Sequence, residues 1–508
     1  MTDEMVAKDF WTVAGFGAAT GGRLVLPVVP QGGDCAGRNT DDNAIIITGV
    51  SIDSRTIDPG EAFVAIAGEQ FDGHRFVGDA VKGGASLVVV SDEDAIDCGR
   101  EAKVPALVVE DTVESLGNLA RVWRGELMEA GKVTVIGITG SCGKTTTKGF
   151  LDSILSTIMN GCVSPKSFNN SIGVPLTILS TKLSDRYLLS EIGTNGPGEV
   201  AELGGIVRPD IAVITNVGRS HLEGLGSVEG VAREKATLLR TVLKGGCAIL
   251  PTRDACGSGL DVMEFVEDEG EEALGDLRVV RFGESADADV RVVACEAEGE
   301  GMSFELGDGT QWSIGAQGKH HVLDAAAAIA VAWEMGVDDG DIWRGLKVAK
   351  LPAMRMEEAV TGGGVRIFND AYNANPESMR ASIETFTGEN GGMMRKGGDG
   401  RRIVVLGEML ELGAESRSCH EEIVDLVSGL IDDERIDVAY FVGEGFFEVR
   451  DRGRSGMVLK ESAEMVFEGA ADGSVLVRIA DVLRAGDCVL LKGSRRVGLE
   501  RLVEVLRG

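Results

Sequence analysis

The feature that most constrains the fold is a Gly-rich turn directly after a continuous apolar run. Residues 133–138, Val-Thr-Val-Ile-Gly-Ile, are mostly apolar and β-branched, which is typical of a strand buried on both faces of a parallel sheet. Thr-Gly-Ser-Cys-Gly-Lys-Thr-Thr-Thr follows at 139–147. A Gly-rich turn between a strand and a helix points backbone N–H groups and the helix dipole at an anion. The pattern predicts a phosphate-binding loop at residues 140–145.

The residues of this loop have separate predicted roles. Lys144 can reach the β- and γ-phosphates of a nucleoside triphosphate, and the Thr145 hydroxyl can ligate Mg²⁺. The spacing departs from the strict GxxxxGK[ST] pattern, because Ile138 occupies the first Gly position and Gly140 comes two residues later. We expect ATP as the ligand. Its predicted contacts in the loop are Gly140, Ser141, Cys142, Gly143, Lys144, Thr145 and Thr146.

Length and charge limit the class of protein. A chain of 508 residues suggests three domains at ~150 residues each. The 50 Lys and Arg against 81 Asp and Glu give a formal charge of -31. Such a surface repels nucleic acid and anionic lipid, so neither is expected as a general partner. No stretch approaches the ~18 apolar residues of a membrane span, and we expect a cytoplasmic protein without membrane insertion.

The nine cysteines are scattered singly along the chain. None forms a CxxC pair and their number is odd, which argues against a zinc knuckle and against a disulfide framework. Cys142 lies at the predicted start of a helix. A helix N-terminus favours the thiolate, so we expect Cys142 to be partly activated and sensitive to oxidation.

Apolar runs alternate with helix-like segments along most of the chain, which predicts an α/β fold. The predicted domains are residues 1–130, 131–350 and 351–508. Predicted strands lie at 44–50, 62–66 and 85–90, then at 133–138, 187–190, 211–214 and 247–250, and finally at 365–368, 402–406, 438–442 and 487–491. Predicted helices lie at 228–243, 323–335, 376–386 and 420–430.

Two candidate metal ligands follow predicted strands of the middle block. Glu191 comes directly after 187–190, and His221 comes after 211–214. The carboxyl ends of parallel strands meet at one edge, where a divalent cation finds oxygen or imidazole ligands. From the residues alone, His221 is equally compatible with a structural role. Lys235, in a predicted helix, is by itself an ordinary surface lysine.

Taken together, several segments resemble the Mur ligase family, the ATP-dependent amide-forming enzymes of peptidoglycan precursor synthesis. In the first block the resemblance lies in Ser-Ile-Asp-Ser-Arg at 51–55 and Asp-Gly-His at 72–74. In the second it lies in Asn-Asn-Ser-Ile-Gly-Val-Pro at 169–175 and the residues around Glu191 and His221. In the third it lies in Asp-Ala-Tyr-Asn-Ala-Asn-Pro at 370–376, Gly-Glu-Met-Leu-Glu-Leu-Gly at 407–413 and Lys-Gly-Ser-Arg at 492–495.

The resemblance implies three α/β domains with separate tasks. These are an N-terminal UDP-sugar-binding domain, a central P-loop parallel-sheet ATPase domain and a Rossmann-like C-terminal domain that closes over ATP and binds the incoming dipeptide. The motifs at 372–376 and 407–413 imply a member that joins D-alanyl-D-alanine to UDP-MurNAc-tripeptide through an acyl phosphate, and that acts as a monomer. The alternatives are a sister ligase that adds a single amino acid and a non-catalytic nucleotide-binding regulator. Asp-Asn-Pro-Arg, the signature of the diaminopimelate-adding ligase, does not occur.

The resemblance also implies roles for single residues. Glu191, His221 and a carbamylated Lys235 would hold a second Mg²⁺, beside the one at Thr145. Arg355 and Asp370 would close over ATP. His321 and Asp324 would contact ATP at its adenine end. The family carries two Asn residues at these positions, so here a side-chain amide is not expected to read the base. The expected substrate contacts are Ser54 and Arg55 for uridine diphosphate, Asn169 and Asn170 for the UDP-sugar peptide, and Tyr372, Asn373 and Asn375 in the C-terminal domain.

Overall fold

The computed structural model describes residues 9–26, 45–68, 71–96, 104–267, 276–299, 301–388, 400–451, 464–468 and 473–507. The chain forms two compact units. Unit 1 is drawn from Met1–Gly137, Met159–Ile192 and Glu202–Asp210. Unit 2 is drawn from Ile138–Ile158, Gly193–Ala201 and Ile211–Gly508.

The strands and helices are numbered here in chain order. The strands are β1 (Arg23–Val25), β2 (Val50–Ser51), β3 (Ala62–Val64), β4 (Leu87–Val90), β5 (Ala106–Val108), β6 (Thr134–Thr139), β7 (Gly161–Val163), β8 (Tyr187–Glu191), β9 (Ile211–Ile214), β10 (Cys247–Pro251), β11 (Arg278–Gly283), β12 (Val290–Glu298), β13 (Gly301–Leu306), β14 (Gln311–Ile314), β15 (Glu357–Val360), β16 (Arg366–Asp370), β17 (Arg402–Gly407), β18 (Val438–Val442), β19 (Glu464–Glu468) and β20 (Cys488–Lys492). The α-helices are α1 (Val13–Thr20), α2 (Val77–Gly83), α3 (Thr112–Ala130), α4 (Lys144–Leu155), α5 (Gly173–Ser180), α6 (Glu199–Val207), α7 (Leu222–Leu225), α8 (Val228–Ala236), α9 (Glu264–Glu267), α10 (Lys319–Glu334), α11 (Asp339–Val348), α12 (Pro376–Thr387), α13 (Ser416–Asp432), α14 (Glu444–Asp451), α15 (Gly473–Val482) and α16 (Arg501–Arg507).

Unit 1 contains a sheet with the strand order β1-β5-β4-β3-β2. Strands β2 to β5 run parallel, and β1 is antiparallel to β5. The short apolar strands β3 and β4 are buried at every residue, as expected for parallel strands covered on both faces. Helix α3 begins at Asp111, whose carboxylate caps two backbone N–H groups, and ends at the left-handed Gly131. Unit 1 also holds the parallel pair β7 and β8.

Unit 2 contains a parallel run of strands that an antiparallel hairpin extends. Strands β9 to β12 pair in parallel, and β13 and β14 then add to β12 in antiparallel fashion. Strands β9 and β10 are buried throughout, whereas β12 is exposed at several positions. The Ala-rich helix α10 packs against these strands.

A second sheet of unit 2 has the strand order β15-β16-β20-β17-β18-β19. All its neighbours pair in parallel except β15 and β16. Its core is built from β-branched and aliphatic side chains of the central strands, including Ile367, Val405 and Leu491. Asp370 and Lys492 lie at the carboxyl ends of β16 and β20, and Asn375 caps the start of α12.

The predicted α/β class with three parallel-rich sheets is confirmed. The predicted strand at 44–50 is wrong for most of its length, because β2 covers only Val50–Ser51 at the edge of its sheet and Ile46 forms an isolated bridge. The predicted helix at 228–243 ends as α8 at Ala236 and continues as a 3₁₀ turn, Thr237–Thr241. The hydroxyl groups of Thr237 and Thr241 donate to backbone carbonyls there, which competes with regular helix. The domain boundaries at 130 and 350 remain predictions.

Within the described ranges, no helix has both the length and the apolar composition that a bilayer crossing requires.

Candidate active site

The phosphate loop joins β6 to α4, and two of its positions accept only glycine. Gly140 and Gly143 have φ angles of 151° and 82°. A Cβ at Gly140 would overlap the Thr215 hydroxyl, and a Cβ at Gly143 would overlap the Asp324 carboxylate. The backbone therefore approaches its neighbours more closely than any side chain permits. This packed turn at the N-terminus of a 12-residue helix fits a bound phosphate.

Two side chains of the first helical turn are oriented towards this loop and towards the C-terminal part of unit 2. The Lys144 ammonium donates to the Gly140 carbonyl over 2.5 Å. The Thr145 hydroxyl accepts a hydrogen bond from Arg355 Nη2 at 2.9 Å. Arg355 also lies over the Tyr372 ring, with 4.7 Å between the guanidinium carbon and the ring centroid. The predicted contacts Arg355 and Tyr372 thus lie next to the predicted phosphate loop.

Cys142 does not have the environment that was expected of it. Burial raises the pKa of its thiol above the ordinary value, and the Glu377 carboxylate adds to this shift. Its Sγ donates to Asn375 Oδ1 at 3.2 Å. The prediction of an activated thiolate is therefore wrong, because the desolvation of the charged form outweighs the helix N-terminus and the nearby lysines.

Asp370 is held by a network at the carboxyl end of β16. Its carboxylate forms an ion pair with Lys492 at 2.7 Å and accepts from the Ser382 hydroxyl at 2.5 Å. The Met356 N–H donates to its second oxygen at 3.2 Å. Asp370 and Lys492 are both buried, so the pair is shielded from bulk water. Sequence reasoning did not select Lys492 as a site residue, although the Lys-Gly-Ser-Arg motif at 492–495 was the available signal.

Cys142, Arg355, Asp370 and Lys492 line one cavity of about 200 Å³. A second cavity of about 660 Å³ shares five lining residues with it, Gly257, His320, Leu323, Glu377 and Ala381. The smaller cavity alone is below the usual size for a small-molecule site, whereas the two together reach that range. Side chains of the smaller cavity that the sequence predicted as contacts are Cys142, Thr146, His321, Asp324, Arg355 and Asp370.

His321 and Asp324 both face this cavity from α10, with unusual protonation. Burial lowers the pKa of His321 to about 4, so the ring is neutral near pH 7, and its Nδ1 contacts the Gln317 carbonyl at 2.7 Å. Burial raises the pKa of Asp324 to about 8 against the opposing charge of Arg355. Thr147 Oγ1 donates to Asp324 at 3.4 Å. A protonated Asp324 carries an O–H donor and a C=O acceptor, as an amide carries N–H and C=O.

The predicted ligands of a second cation belong to different units of the chain. In unit 1, Glu191 is fully buried at the carboxyl end of β8. In unit 2, His221 Nδ1 lies 2.6 Å from Glu411 Oε2, and this contact lowers the pKa of Glu411. Lys235 is 2% exposed, and burial lowers its pKa to about 7, helped by the charge of Lys144. Among the residues with described positions, no three His, Cys, Asp or Glu side chains form a metal-binding group, so the cation sites remain predictions.

The predicted substrate contacts of unit 1 make local interactions. The exposed Arg55 guanidinium forms an ion pair with Asp53 at 2.6 Å, next to Ser54. Asn170 Oδ1 accepts from the N–H groups of Ile172 and Gly173 in the turn that leads into α5. Asn169 is half-buried beside it. These residues remain predicted substrate contacts.

The remaining predicted substrate contacts lie in the C-terminal part of unit 2. Asn375 caps α12 by accepting from the Ser378 N–H, and Asn373 is exposed. Two charged residues in the same region were missed by sequence reasoning. Arg219, after β9, binds Glu377 of α12 with 2.8 Å between Nε and Oε1. Only the folded chain brings these positions together.

Comparison with known proteins agrees with this arrangement. Residues 46–124 match the Mur ligase family catalytic domain, 138–332 match the Mur ligase middle domain, and 354–495 match the Mur ligase glutamate ligase domain. UDP-N-acetylmuramoyl-tripeptide–D-alanyl-D-alanine ligase of Bacillus subtilis (strain 168) is 32% identical, over 91% of this chain and 93% of its own. The chain belongs to the Mur ligase family.

Two solved Mur ligase structures are similar over nearly the whole chain. A crystal structure of MurF from Acinetobacter baumannii is 28% identical and aligns with a TM-score of 0.78, covering 98% of each chain. The structure of MurF ligase from Thermotoga maritima in complex with ADP is 26% identical with a TM-score of 0.68, covering 90% of this chain and 97% of the other.

Proposed function

We propose that this Mur ligase joins D-alanyl-D-alanine to UDP-MurNAc-tripeptide and converts ATP to ADP and phosphate. The observation that carries the proposal is the convergence of the phosphate loop with Arg355, Asp370 and Lys492 around one cavity. The Bacillus subtilis relative is a ligase of that name, and the similar Thermotoga maritima enzyme was solved with ADP. The name of the first enzyme supports the dipeptide as the acceptor, and the ADP bound to the second supports ATP as the nucleotide.

The chemistry requires activation of a carboxylate. A carboxylate is a poor electrophile and reacts with an amine only when one of its oxygens becomes a good leaving group. Transfer of the γ-phosphoryl group to the peptide carboxylate gives an acyl phosphate, which the amine of D-alanyl-D-alanine then attacks with release of phosphate. The protein must therefore position the reactants and stabilise the charge that develops on the transferring phosphoryl group.

Three cations of unit 2 are placed for this stabilisation. Lys144 and Arg355 lie at the phosphate loop, and Lys492 enters the cavity from the end of β20. Charge-assisted hydrogen bonds from such fixed groups stabilise the charge that builds on the transferring phosphoryl oxygens. Asp370 holds Lys492 in place through their ion pair. The acidic surface gives no general attraction for ATP, so these local cations are required.

Thr145, Glu191 and His221 are the proposed Mg²⁺ ligands, as the family resemblance implies. The Thr145 hydroxyl and the buried Glu191 carboxylate each offer an oxygen donor, the kind that Mg²⁺ prefers. The lowered pKa of Lys235 leaves much of its amine neutral near pH 7, which is the form that combines with carbon dioxide to give a carbamate. Bound Mg²⁺ would neutralise charge on the phosphates and on the attacking carboxylate.

The proposed division of labour follows the three predicted domains. Residues 1–130 bind the UDP-sugar through Ser54 and Arg55, residues 131–350 bind ATP, and residues 351–508 close over it and bind the dipeptide. Asn169 and Asn170 contact the UDP-sugar peptide, and Tyr372, Asn373 and Asn375 contact the acceptor. The protein acts as a cytoplasmic monomer.

Phosphate release with different acceptors tests this function. Purified protein with ATP, Mg²⁺ and UDP-MurNAc-tripeptide should release phosphate with D-alanyl-D-alanine and far less with single amino acids. The Lys144→Ala variant is the control for contaminating ATPase. Release with a single amino acid instead would indicate a sister ligase. No release with any acceptor would leave a nucleotide-binding regulator and refute the proposal.

A further inference from the structure

The segment after β9 is fixed against the phosphate loop. The Ser141 hydroxyl accepts from the Gly218 N–H at 3.0 Å and from the Ser220 hydroxyl at 2.7 Å. The Cys142 N–H donates to Asn216 Oδ1 at 2.8 Å. Arg219 lies within this segment, so its backbone position is set by the loop that binds phosphate.

Arg219 binds two carboxylates from two different helices of the C-terminal part of unit 2. Its Nε donates to Glu377 Oε1 at 2.8 Å, and its backbone N–H donates to Glu377 Oε2 at 3.0 Å. Its Nη1 donates to Glu422 Oε1 at 2.8 Å. Glu377 lies in the first turn of α12, and Glu422 lies in α13. One guanidinium therefore connects the phosphate loop to both helices.

The pair is more restricted than an ordinary surface ion pair. The side chains of Arg219 and Glu377 are 23% and 19% exposed. The Glu377 side chain also packs between two backbones, because a Cβ at Gly218 would come within 2.9 Å of Oε2 and one at Gly257 within 3.1 Å of Cγ. Glu422 and Glu377 raise the pKa of Arg219, as expected for a cation held by carboxylates. Shielded pairs with fixed geometry contribute more than exposed ones.

Helix α12 connects these ion pairs to side chains that line the cavity. Ser382 of the same helix donates to Asp370, and Asp370 pairs with Lys492. Glu377 itself borders the cavity beside Cys142. An uncompensated carboxylate there would repel the phosphates of ATP, whereas one bound by Arg219 has its charge offset.

We propose that Arg219 is a positioning residue which, with Glu377 and Glu422, forms a clasp that holds α12 and α13 against the phosphate loop. The clasp fixes the side chains that line the cavity in position for ATP binding, and it does not contact the reacting atoms. This inference rests on the proposed function for the identity of the nucleotide as ATP.

A double-mutant cycle on nucleotide affinity tests the clasp. Arg219→Gln, Glu377→Gln and the double variant are titrated with ADP by calorimetry, and KM for ATP and kcat are measured beside them. Each single variant should weaken ADP binding and raise KM for ATP by about tenfold, the effect of one charge-assisted hydrogen bond. The double variant should also bind ADP only about tenfold more weakly than the unchanged protein, because the second substitution removes no further interaction.

Arg417→Gln is the matched control. It removes an exposed pair with Glu421 on the same helix α13, and its ADP affinity should equal that of the unchanged protein. If Arg219→Gln fails to fold, Glu422→Gln replaces it in the same titration, since that partner is 43% exposed. It should then weaken ADP binding severalfold.

The results separate the clasp from a structural role and from the proposed function. Unchanged ADP affinity in folded variants, or effects that multiply to about a hundredfold in the double variant, would overturn the clasp. A protein that binds ADP but makes no ligation product would refute the proposed function, and the ADP titrations would still decide on the clasp.

Discussion

Replacing Asp324 with Asn should stabilise the protein in a manner that depends on pH. Burial raises the pKa of Asp324 from its ordinary 3.8 to about 8 in the folded chain. The folded state therefore binds this proton more tightly than the unfolded state. Folding is penalised increasingly as the pH rises from about 4 to about 8, and the penalty stays constant above that range. Asn is never charged and escapes the penalty, while its amide oxygen can still accept from Thr147.

The magnitude follows from the two pKa values. The shift from 3.8 to about 8 corresponds to at most about 6 kcal/mol at ~1.36 kcal/mol per unit. Only the part between 3.8 and 7 acts at neutral pH, at most about 4 kcal/mol. Since Asp324 borders a cavity, where solvent reduces the desolvation penalty, we expect about 2 kcal/mol at pH 7. For a chain of this size that corresponds to a few degrees in Tm.

Thermal denaturation of both proteins between pH 5 and pH 9 measures this effect. The Tm gain of Asp324→Asn should be small at pH 5, grow up to about pH 8 and then level off. Asp94→Asn, at an exposed position, serves as the control and should leave the pH profile of Tm unchanged. A gain that is the same at every pH, or a loss of stability at pH 8, would show that Asp324 is not a buried neutral acid.

Three further predictions concern the phosphate loop and the buried lysine. Lys144→Ala should lower kcat by at least about a hundredfold, because a cation at the transferring phosphoryl group is lost, and near-normal kcat in a steady-state phosphate assay would remove the loop assignment. Lys235→Ala should be inactive and regain activity with added acetate or another short-chain carboxylate, and failure of that rescue would contradict the carbamate. Iodoacetamide should label Cys142 much more slowly than free cysteine at pH 7, since its pKa is raised, and rapid labelling of the folded protein in a peptide-mapping time course would contradict its buried environment.

Much of the fold follows from local sequence patterns. The apolar runs that became β6, β9 and β10 are continuous because both faces of these strands are covered. The glycines of the phosphate loop stand where positive φ angles are required. The antiparallel extension β12 to β14 was not among the predicted strands. Their sequences nevertheless carry the signal, because β13 alternates buried apolar and partly exposed polar residues, as a half-buried strand does.

The arrangement of the candidate site depends on contacts that sequence patterns cannot supply. Cys142 was expected to be an activated thiol from its place in the loop, yet burial and the Glu377 carboxylate, distant in sequence, raise its pKa in the folded chain. Lys492 and Arg219 are chemically ordinary until the fold brings Asp370 of β16 next to Lys492 and Glu377 of α12 next to Arg219. The resemblance identified most members of the site, whereas protonation states and ion pairs required the three-dimensional environment.

Transfer of isotopic oxygen from substrate to phosphate tests the central claim most directly. UDP-MurNAc-tripeptide carrying ¹⁸O in both oxygens of its terminal carboxylate is incubated with the protein, ATP, Mg²⁺ and D-alanyl-D-alanine. If the carboxylate attacks the γ-phosphoryl group, each phosphate released keeps one carboxylate oxygen, and mass spectrometry should find one ¹⁸O per phosphate beside a product lengthened by the dipeptide. Unlabelled phosphate would show that ATP does not activate this carboxylate and would contradict the account.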